Sequence, residues 1–440
     1  MTSETTGQPM ASQSGIGRVR AVFAIRNYRL FWIGGAISNS GRWMSAITVP
    51  YILEQITGKG LWVGLAAFAQ LLPMALVAPW AGSLADRYPR RRILLVSQSG
   101  AALVAAVFSV MWASGVRSPW AYVGFSVVSG LVSGFSLPAW QAFVSELVPR
   151  ELLLGAITLN STQFNAARAV GPVAAGIVLK VAGPAWTFAI DALAYGAVIG
   201  ALLLIKVPIL PAANRAGRKV FGEFLDTIGY IRDRPGLVTC ILAVALIGGL
   251  GLPIVTLVVL FAEQVFEVDE DLFGLMVGSI GIGAVLAAPL VASVGSRYRR
   301  SRLELVSVVM YGVSVTAFAL SPWFITALVS LAVVGAAHII TASTLNTALQ
   351  LQVDEVMRGK VLSLYLMSLL AANPVGQLSL GAMSDVVGPR AAVATAGALL
   401  LAGALALHTS GRLESLDADE AVVMERAAPA TDGRLAAPGG

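Results

Sequence analysis

Twelve apolar runs long enough to cross a lipid bilayer recur along this chain of 440 residues. They lie near 29–56, 61–85, 93–114, 119–146, 151–181, 185–206, 236–262, 272–294, 303–320, 322–350, 359–383 and 389–409. A helix needs about 20 predominantly apolar residues to span the hydrocarbon core. Runs that exceed this length are expected to tilt or to protrude past the membrane. Only 12% of the residues are charged and 57% are hydrophobic, with a mean hydropathy of +0.78. A soluble domain carries about 25% charged residues, so too little polar surface remains to cover a water-soluble globule of this size. Lipid is the solvent for much of the chain. The fold class is an all-α membrane protein of twelve transmembrane helices.

The basic residues fix the topology. With the amino terminus placed inside, 24 of the 30 Lys and Arg fall in inside segments. Outside segments hold 4 (Lys59, Arg117, Lys180 and Arg390), and Arg42 and Arg168 lie within spans. One missed helix would scramble this alternation, so both termini are expected in the cytoplasm of a bacterial inner or plasma membrane. The net charge of +6 is accounted for by topology, and no nucleic-acid partner is expected. Residues 1–26 are expected to be a disordered cytoplasmic amino terminus. Residues 1–17 have no apolar segment of the kind a cleavable signal needs. Residues 27–207 and 236–410 form two six-helix bundles, and 411–440 reads as a disordered cytoplasmic tail. Between the bundles, the linker 208–235 places Val220, Phe221, Phe224, Leu225, Ile228 and Ile231 opposite Glu223, Asp226 and Arg232. This is the pattern of an amphipathic helix on the inner leaflet, with a partly ordered linker as the alternative.

The two bundles echo each other. Ala78-Pro79, Ser83, Arg87, Tyr88 and Arg90 recur as Ala288-Pro289, Ser293, Arg297, Tyr298 and Arg300, each offset by 210 residues. Gly171-Pro172-Val173 with Gly176 parallels Asn373-Pro374-Val375-Gly376. Parallel repeats of this kind are a transporter architecture, with substrate sites near the midplane where the repeats meet.

The strongest local signal is GSLADRYPRRR at 82–92, joining the second and third spans on the cytoplasmic side. A carboxylate is stabilised near the partial positive charge of a helix amino terminus. The fifth span carries NAARAVGPVAAG at 165–176. Its small residues let helices approach closely, and Pro172 removes an internal hydrogen bond and bends the helix. With NYRLFWIGGAISNSGRWM at 27–44, ELVPRELLLGAITLNSTQFNAARAVGP at 146–172 and VDEVMRGKVLSLY at 353–365, these segments resemble the enterobactin-exporter-like branch of the major facilitator superfamily. The resemblance covers roughly residues 20–410. It implies the major facilitator fold of two pseudo-symmetric six-helix bundles, and proton-coupled efflux of siderophores, macrolides or similar compounds. It implies that Gly82, Asp86, Arg87, Arg90 and Arg91 form a conformational lock, with Asp86 docking near the start of the eleventh span, close to Arg358. The second-half copy has Ser296 in place of the Asp, so only the first half should lock strongly. Gly171, Pro172 and Gly176, with Arg168, correspond to the exporter motif of the fifth helix. Pro89 and Ala175 stand where the family commonly has Gly, and Arg42 where relatives often carry an acidic or small polar residue.

Ionisable residues inside a span suggest function by default, and three stand out. Arg42 lies ~20 Å into the first span at ~1.5 Å per residue, with Asn39 one turn before it. Ser161, Asn165, Arg168 and Pro172 form one polar stripe on the fifth span, a face expected to look into the bundle. Asp191 in the sixth span is the proton-carrier candidate, with Arg168 about six residues deeper and a direct pair between them possible. Two arginines against one acid point to an anionic amphipathic substrate. Asn39, Arg42, Trp140, Asn165, Arg168, Asn346 and Asn373 are the candidate cavity residues, with Gln141 and Gln350 as further polar positions.

No catalytic set converges. Cys240 is the only cysteine and the two histidines, His338 and His408, are far apart, so no metal site or other cofactor is expected. No phosphate-cradling Gly-x4-Gly-Lys-Ser/Thr loop occurs, so ATP is not the direct energy source. The glycines Gly278, Gly281 and Gly283 lie in an apolar span and read as packing positions. The reading is a secondary transporter, not an enzyme, whose partners are a small-molecule substrate, protons and the bilayer, acting as a monomer. Uptake or lysolipid transport on the same fold is the nearest alternative. A non-transporting receptor or scaffold is the alternative of a different class.

Overall fold

The computed structural model describes residues 15–206, 220–294 and 297–417. Its long elements are helices: α1 (Gly15–Ala24), α2 (Arg26–Thr57), α3 (Gly60–Arg87), α4 (Arg90–Ala113), α5 (Pro119–Glu146), α6 (Leu153–Ala182), α7 (Pro184–Leu204), α8 (Val220–Arg232), α9 (Pro235–Leu246), α10 (Ile254–Gln264), α11 (Glu270–Val294), α12 (Arg300–Leu320), α13 (Phe324–Gln352), α14 (Arg358–Val387) and α15 (Pro389–Thr409). Eleven stretches are long and apolar enough to cross a membrane. The twelfth span is α2, whose 32 residues carry Asn27, Asn39, Arg42 and Glu54 among apolar ones. Its polarity reflects its place in the bundle, where it packs along α6 and α7. The fold is therefore the twelve-helix, all-α membrane bundle expected.

The seventh span is less regular than its sequence implies. It divides into α9, a π-helical turn over Ile247–Gly251, and α10. Pro253 follows the wide turn, where a missing N–H is tolerated because the i→i−4 ladder is already broken. Gly249 in that turn lies against Gly376 of α14 so closely that a Cβ on Gly376 would meet the Gly249 carbonyl oxygen.

Two expectations of disorder are corrected. Residues 15–24 of the amino-terminal segment are helical, and Val22 is fully buried among first-half residues. Residues 412–417 of the tail form a 3-10 turn that buries Leu413 and Leu416. Asp417 there accepts hydrogen bonds from the Ser301 N–H at 3.0 Å and the Ser301 hydroxyl at 2.5 Å, capping the start of α12. Both short segments carry apolar residues at positions that meet a helix end, a signal too brief to register as periodicity. In the linker, α8 occupies Val220–Arg232; Ile231 is buried and Ile228 exposed. The side chains of Val220, Phe221, Glu223, Phe224 and Leu225 lie outside the described residues.

Helices α2–α7 pack mainly on one another, as do α9–α15, and the two groups meet along α3 with α14 and α6 with α11. Both described chain ends lie at one end of the bundle, here the near end. The loops at 58–59, 183, 265–269 and 388 lie at the far end.

Candidate functional site

At the near end, the arginines of the 82–92 loop tie the first half together. Arg90 Nη1 donates to Glu146 Oε1 at 2.8 Å and to the Ala142 carbonyl at 3.2 Å. Arg91 Nε and Nη2 donate to the carbonyls of Leu202 and Leu203 at 2.5 and 3.0 Å. Each guanidinium thus meets the negative end of a helix, α5 or α7, where the last carbonyls lack helical partners. Arg87 is exposed, and a Cβ on Gly82 would meet open space. The Asp86 side chain, on which the expected lock turns, lies outside the described residues.

The glycines of the fifth-span motif sit where helices cross. A Cβ on Gly171 would run into Trp43 and the Ser40 carbonyl of α2, and one on Gly176 would meet Gly274 and the Glu270 carbonyl of α11. Pro172 is buried within α6 between them. One helix turn therefore touches a helix of its own half on one face and a helix of the other half on the opposite face. Gly278 and Gly281 of α11 lie against Val173 and Ala169 of α6, and Gly283 against Ala332 of α13.

The seam is closed at the far end. Asp385 Oδ1 and Oδ2, at the end of α14, accept from the backbone N–H groups of Gly60 and Leu61 of α3 at 2.6 and 3.0 Å. Tyr51 donates to Glu270 at 2.8 Å, and Gln264 Nε2 to Glu54 at 3.1 Å. Lys180 reaches Asp269 and Asp271 at 2.9 and 3.0 Å. The helix faces close with it: a Cβ on Gly60 would strike Ser384, and one on Gly64 would strike the Gln377 carbonyl.

Deeper in the bundle, the two arginines flank an aromatic pair. Arg42 lies over Phe164, 5.4 Å from the ring centroid, and Arg168 over Trp43 at 5.9 Å, while Trp43 and Phe164 meet edge to face at 6.0 Å. Neither guanidinium forms an ion pair among the described residues. Asp191 does not pair with Arg168. It is buried against α2, where Asp191 Oδ2 accepts from the Ser45 hydroxyl at 2.5 Å and Oδ1 has no hydrogen-bond partner among the described residues. The reason is rotational: Asp191 faces α2, the helix against which α7 packs, and Gly41 lets that backbone come close. Along the α6 stripe, Ser161 is exposed, Asn165 and Arg168 are half-buried, and Pro172 is buried.

Other expected cavity residues are already engaged. Trp140 packs on Phe31 at 4.4 Å and donates Nε1 to Asn160 at 3.1 Å. Asn165 donates to the Ser161 carbonyl of its own helix. Asn346 accepts from Gln350 at 2.6 Å, and Asn373 from Gln377 at 3.3 Å. Asn39 is half-buried and Gln141 exposed.

Residues the sequence did not single out also converge. Tyr311 of α12 and His338 of α13 meet edge to face at 6.2 Å, and Gly335, one turn before His338, packs against Ile280 of α11, beside the Gly281 that meets Ala169 of α6. Glu304 of α12 is fully buried with neither carboxylate oxygen hydrogen-bonded. His338 sits alone in an apolar run, and Glu304 follows the basic loop closely enough to read as part of it. Neither has a spacing that marks it.

The architecture has many solved counterparts. The nucleoside transporter NupG superimposes with a TM-score of 0.69 at 14% identity, covering 87% of this chain and 98% of that one. A D-xylose-proton symporter gives 0.63 at 15%, covering 89% and 97%. Identities this low establish the fold alone. Among curated relatives, the staphyloferrin A transporter of Staphylococcus aureus is 23% identical over 79% of this chain and 87% of its own. The enterobactin exporter EntS of Salmonella typhi is 26% identical over 90% and 92%. The family model described as transmembrane secretion effector matches residues 19–436. A twelve-helix bundle of two packed halves, an 82–92 signature loop and a glycine-proline crossing at the seam thus place this chain in the transmembrane secretion effector family of major facilitator transporters.

Proposed function

We propose that this chain is a proton-coupled exporter of a small, acid-bearing amphipathic compound, siderophore- or macrolide-like, working by alternating access. The observation that carries the substrate class is Arg168: a guanidinium near the middle of a spanning helix, beside the other half, with no acid paired to it among the described residues. An isolated charge at such depth is costly unless something neutralises it, and a transported anion does so during its passage. Arg42 adds a second cation beside the same aromatic pair. The name of the enterobactin exporter EntS and the fifth-span motif favour export.

The units that rock are residues 27–207 and 236–410, joined by the linker 208–235. Both termini are cytoplasmic, by the distribution of Lys and Arg. In that orientation the far end faces outward and is closed in this conformation. Substrate and protons shift the population between this conformation and the opposite one through their differential affinities. Asp191 is the proton-carrying candidate, because one of its oxygens is unpartnered and the other meets only a hydroxyl. Gly82, Asp86 and Arg87 restrain the near end, while Arg90 and Arg91 hold the first half rigid behind them.

The test is cellular accumulation of catecholate siderophores, macrolides and cationic dyes in an efflux-deficient bacterial host. Wild type is compared with Asp86→Asn and Arg168→Ala, with and without a protonophore. The expected result is lower accumulation of acidic compounds with wild type alone, abolished by the protonophore. Unchanged or raised accumulation would overturn export and direct attention to uptake or lysolipid transport.

A further inference from the structure

We propose that the acid group of the transported compound is held across the seam, by Arg168 of the first half together with His338 of the second, with Trp43 as a further donor. The proposal deepens the anion-export reading and rests on it.

Arg168 is placed at the seam by its backbone. The next residue, Ala169, packs against Gly281 of α11, where a Cβ would have no room. The guanidinium lies 5.9 Å from the Trp43 ring centroid on one side; on the other, Ile280, next to Gly281, packs against Gly335 of α13, one turn before His338, whose ring meets Tyr311 of α12 edge to face. Arg168 has no hydrogen bond and no ion pair among the described residues, and Asp191 is turned to Ser45. The acid at Glu304 is likewise without a hydrogen-bond partner.

Two further nitrogens near this guanidinium are orphaned. Trp43 Nε1 and His338 Nδ1 are both sealed from water and both lack a hydrogen-bond partner among the described residues. A buried unsatisfied polar atom costs about 1–3 kcal/mol, and native interiors leave few of them. Here two occur on helices of opposite halves, one of them on the ring whose centroid lies 5.9 Å from the Arg168 guanidinium. An indole N–H can only donate, and a histidine nitrogen can donate when its tautomer or protonation allows it. A carboxylate offers acceptor sites on two oxygens, enough to take a guanidinium and two N–H groups at once. A neutral ligand satisfies the orphans and leaves Arg168 uncompensated; a cation does neither.

Because the two nitrogens are closed to water in this conformation, the ligand gains them only as the halves rearrange around it. That is where differential affinity is useful: a contact made in one conformation and not in the other shifts the equilibrium between them. The substrate then supplies Arg168 with the acid that no side chain among the described residues supplies.

The experiment measures binding to the purified full-length protein in detergent, using 1-naphthoate and its neutral isostere 1-naphthamide as probes. Wild type is expected to bind the acid and to discriminate against the amide. Arg168→Gln and His338→Phe should each weaken naphthoate binding by about tenfold or more, the range set by hydrogen bonds to charged groups. His338→Gln, which restores a donor, should recover most of that loss; a merely structural role for His338 would not distinguish Gln from Phe. Thermal unfolding of each variant confirms that it is folded, and His338→Phe keeps the bulk should Arg168→Gln fail to fold. No naphthoate binding to wild type, equal binding of acid and amide, or unaltered binding in His338→Phe overturns the proposal. The export reading fails separately, if accumulation in cells does not respond to the protonophore.

Discussion

The carboxylate of Asp385 in the second half accepts a 2.6 Å hydrogen bond from the backbone N–H of Gly60 in the first. Its second oxygen takes the N–H of Leu61 at 3.0 Å. These are among the first donors of α3, a helix whose own N-cap residue, Lys59, supplies no side-chain acceptor. An N-terminus without a cap leaves donors unsatisfied and a partial positive charge exposed. Here the cap comes from the neighbouring half. Capping and closure of the seam are one interaction, so whatever opens the far end must also uncap α3.

Asp385→Ala is accordingly expected to favour the opening of the far end. A side-chain cap contributes ~1 kcal/mol, and Asp385 is exposed, so the shift should be roughly fivefold in the ratio of closed to open forms. Spin labels at Val181 and Val386, both exposed at this end on opposite halves, would report it as a growing long-distance population. An unchanged distance distribution in Asp385→Ala would show that the cap does not hold the seam.

Lys180 should behave differently although it also bridges the halves. Its partners Asp269 and Asp271 have side chains 67% and 37% exposed, and exposed pairs contribute little and are screened by salt. Lys180→Ala is expected to leave the same distance distribution nearly unaltered at physiological ionic strength. Any effect should appear only at low salt. A strong, salt-independent opening would refute this ranking of the two contacts.

Much of this architecture is legible in the sequence because the bilayer imposes a length on each apolar run and a charge bias on each loop. All twelve spans appear close to their expected positions. What the sequence conceals is rotation about each helix axis. Asp191 and Arg168 occupy neighbouring helices at plausible depths, yet Asp191 faces Ser45 and Arg168 faces Trp43. Trp140 is a cavity candidate by sequence, and only the structure shows its ring packed against Phe31. The break in the seventh span is equally hidden, since glycines and a proline within an apolar run are common in membrane helices. Single polar residues such as His338 acquire meaning only from what they face across the seam.

Gly176 offers a direct test of how tightly that seam is packed. A Cβ there would overlap the Glu270 carbonyl and approach the Gly274 backbone. Gly176→Val should therefore separate α6 from α11 at a cost of about 1–3 kcal/mol, the range for overpacking a close-packed contact. Thermal unfolding of the purified variant measures this directly. Gly82→Ala is the control: a Cβ at that position meets nothing in this conformation, so its unfolding temperature should match wild type. Equal behaviour of the two variants would contradict the close approach at Gly176.

Glu304 separates stability from function most sharply. It is fully buried in α12, and neither carboxylate oxygen has a hydrogen-bond partner among the described residues. One turn along α12, by contrast, the Ser307 hydroxyl accepts from Thr341 at 2.8 Å. Desolvating an ionised carboxylate without a partner is so unfavourable that such a group is held neutral or replaced with benefit. Glu304→Met, similar in volume, is expected to stabilise the protein, by about 1–3 kcal/mol, the cost of leaving a buried polar group unsatisfied. Retention of a costly residue is understandable where activity depends on it. The expected outcome is thus a higher unfolding temperature together with reduced protonophore-sensitive transport, while Glu304→Gln isolates the loss of a titratable proton at nearly constant shape. A variant that is more stable and transports as wild type would assign Glu304 no part in coupling. A variant that is less stable would mean that Glu304 contributes to the fold after all.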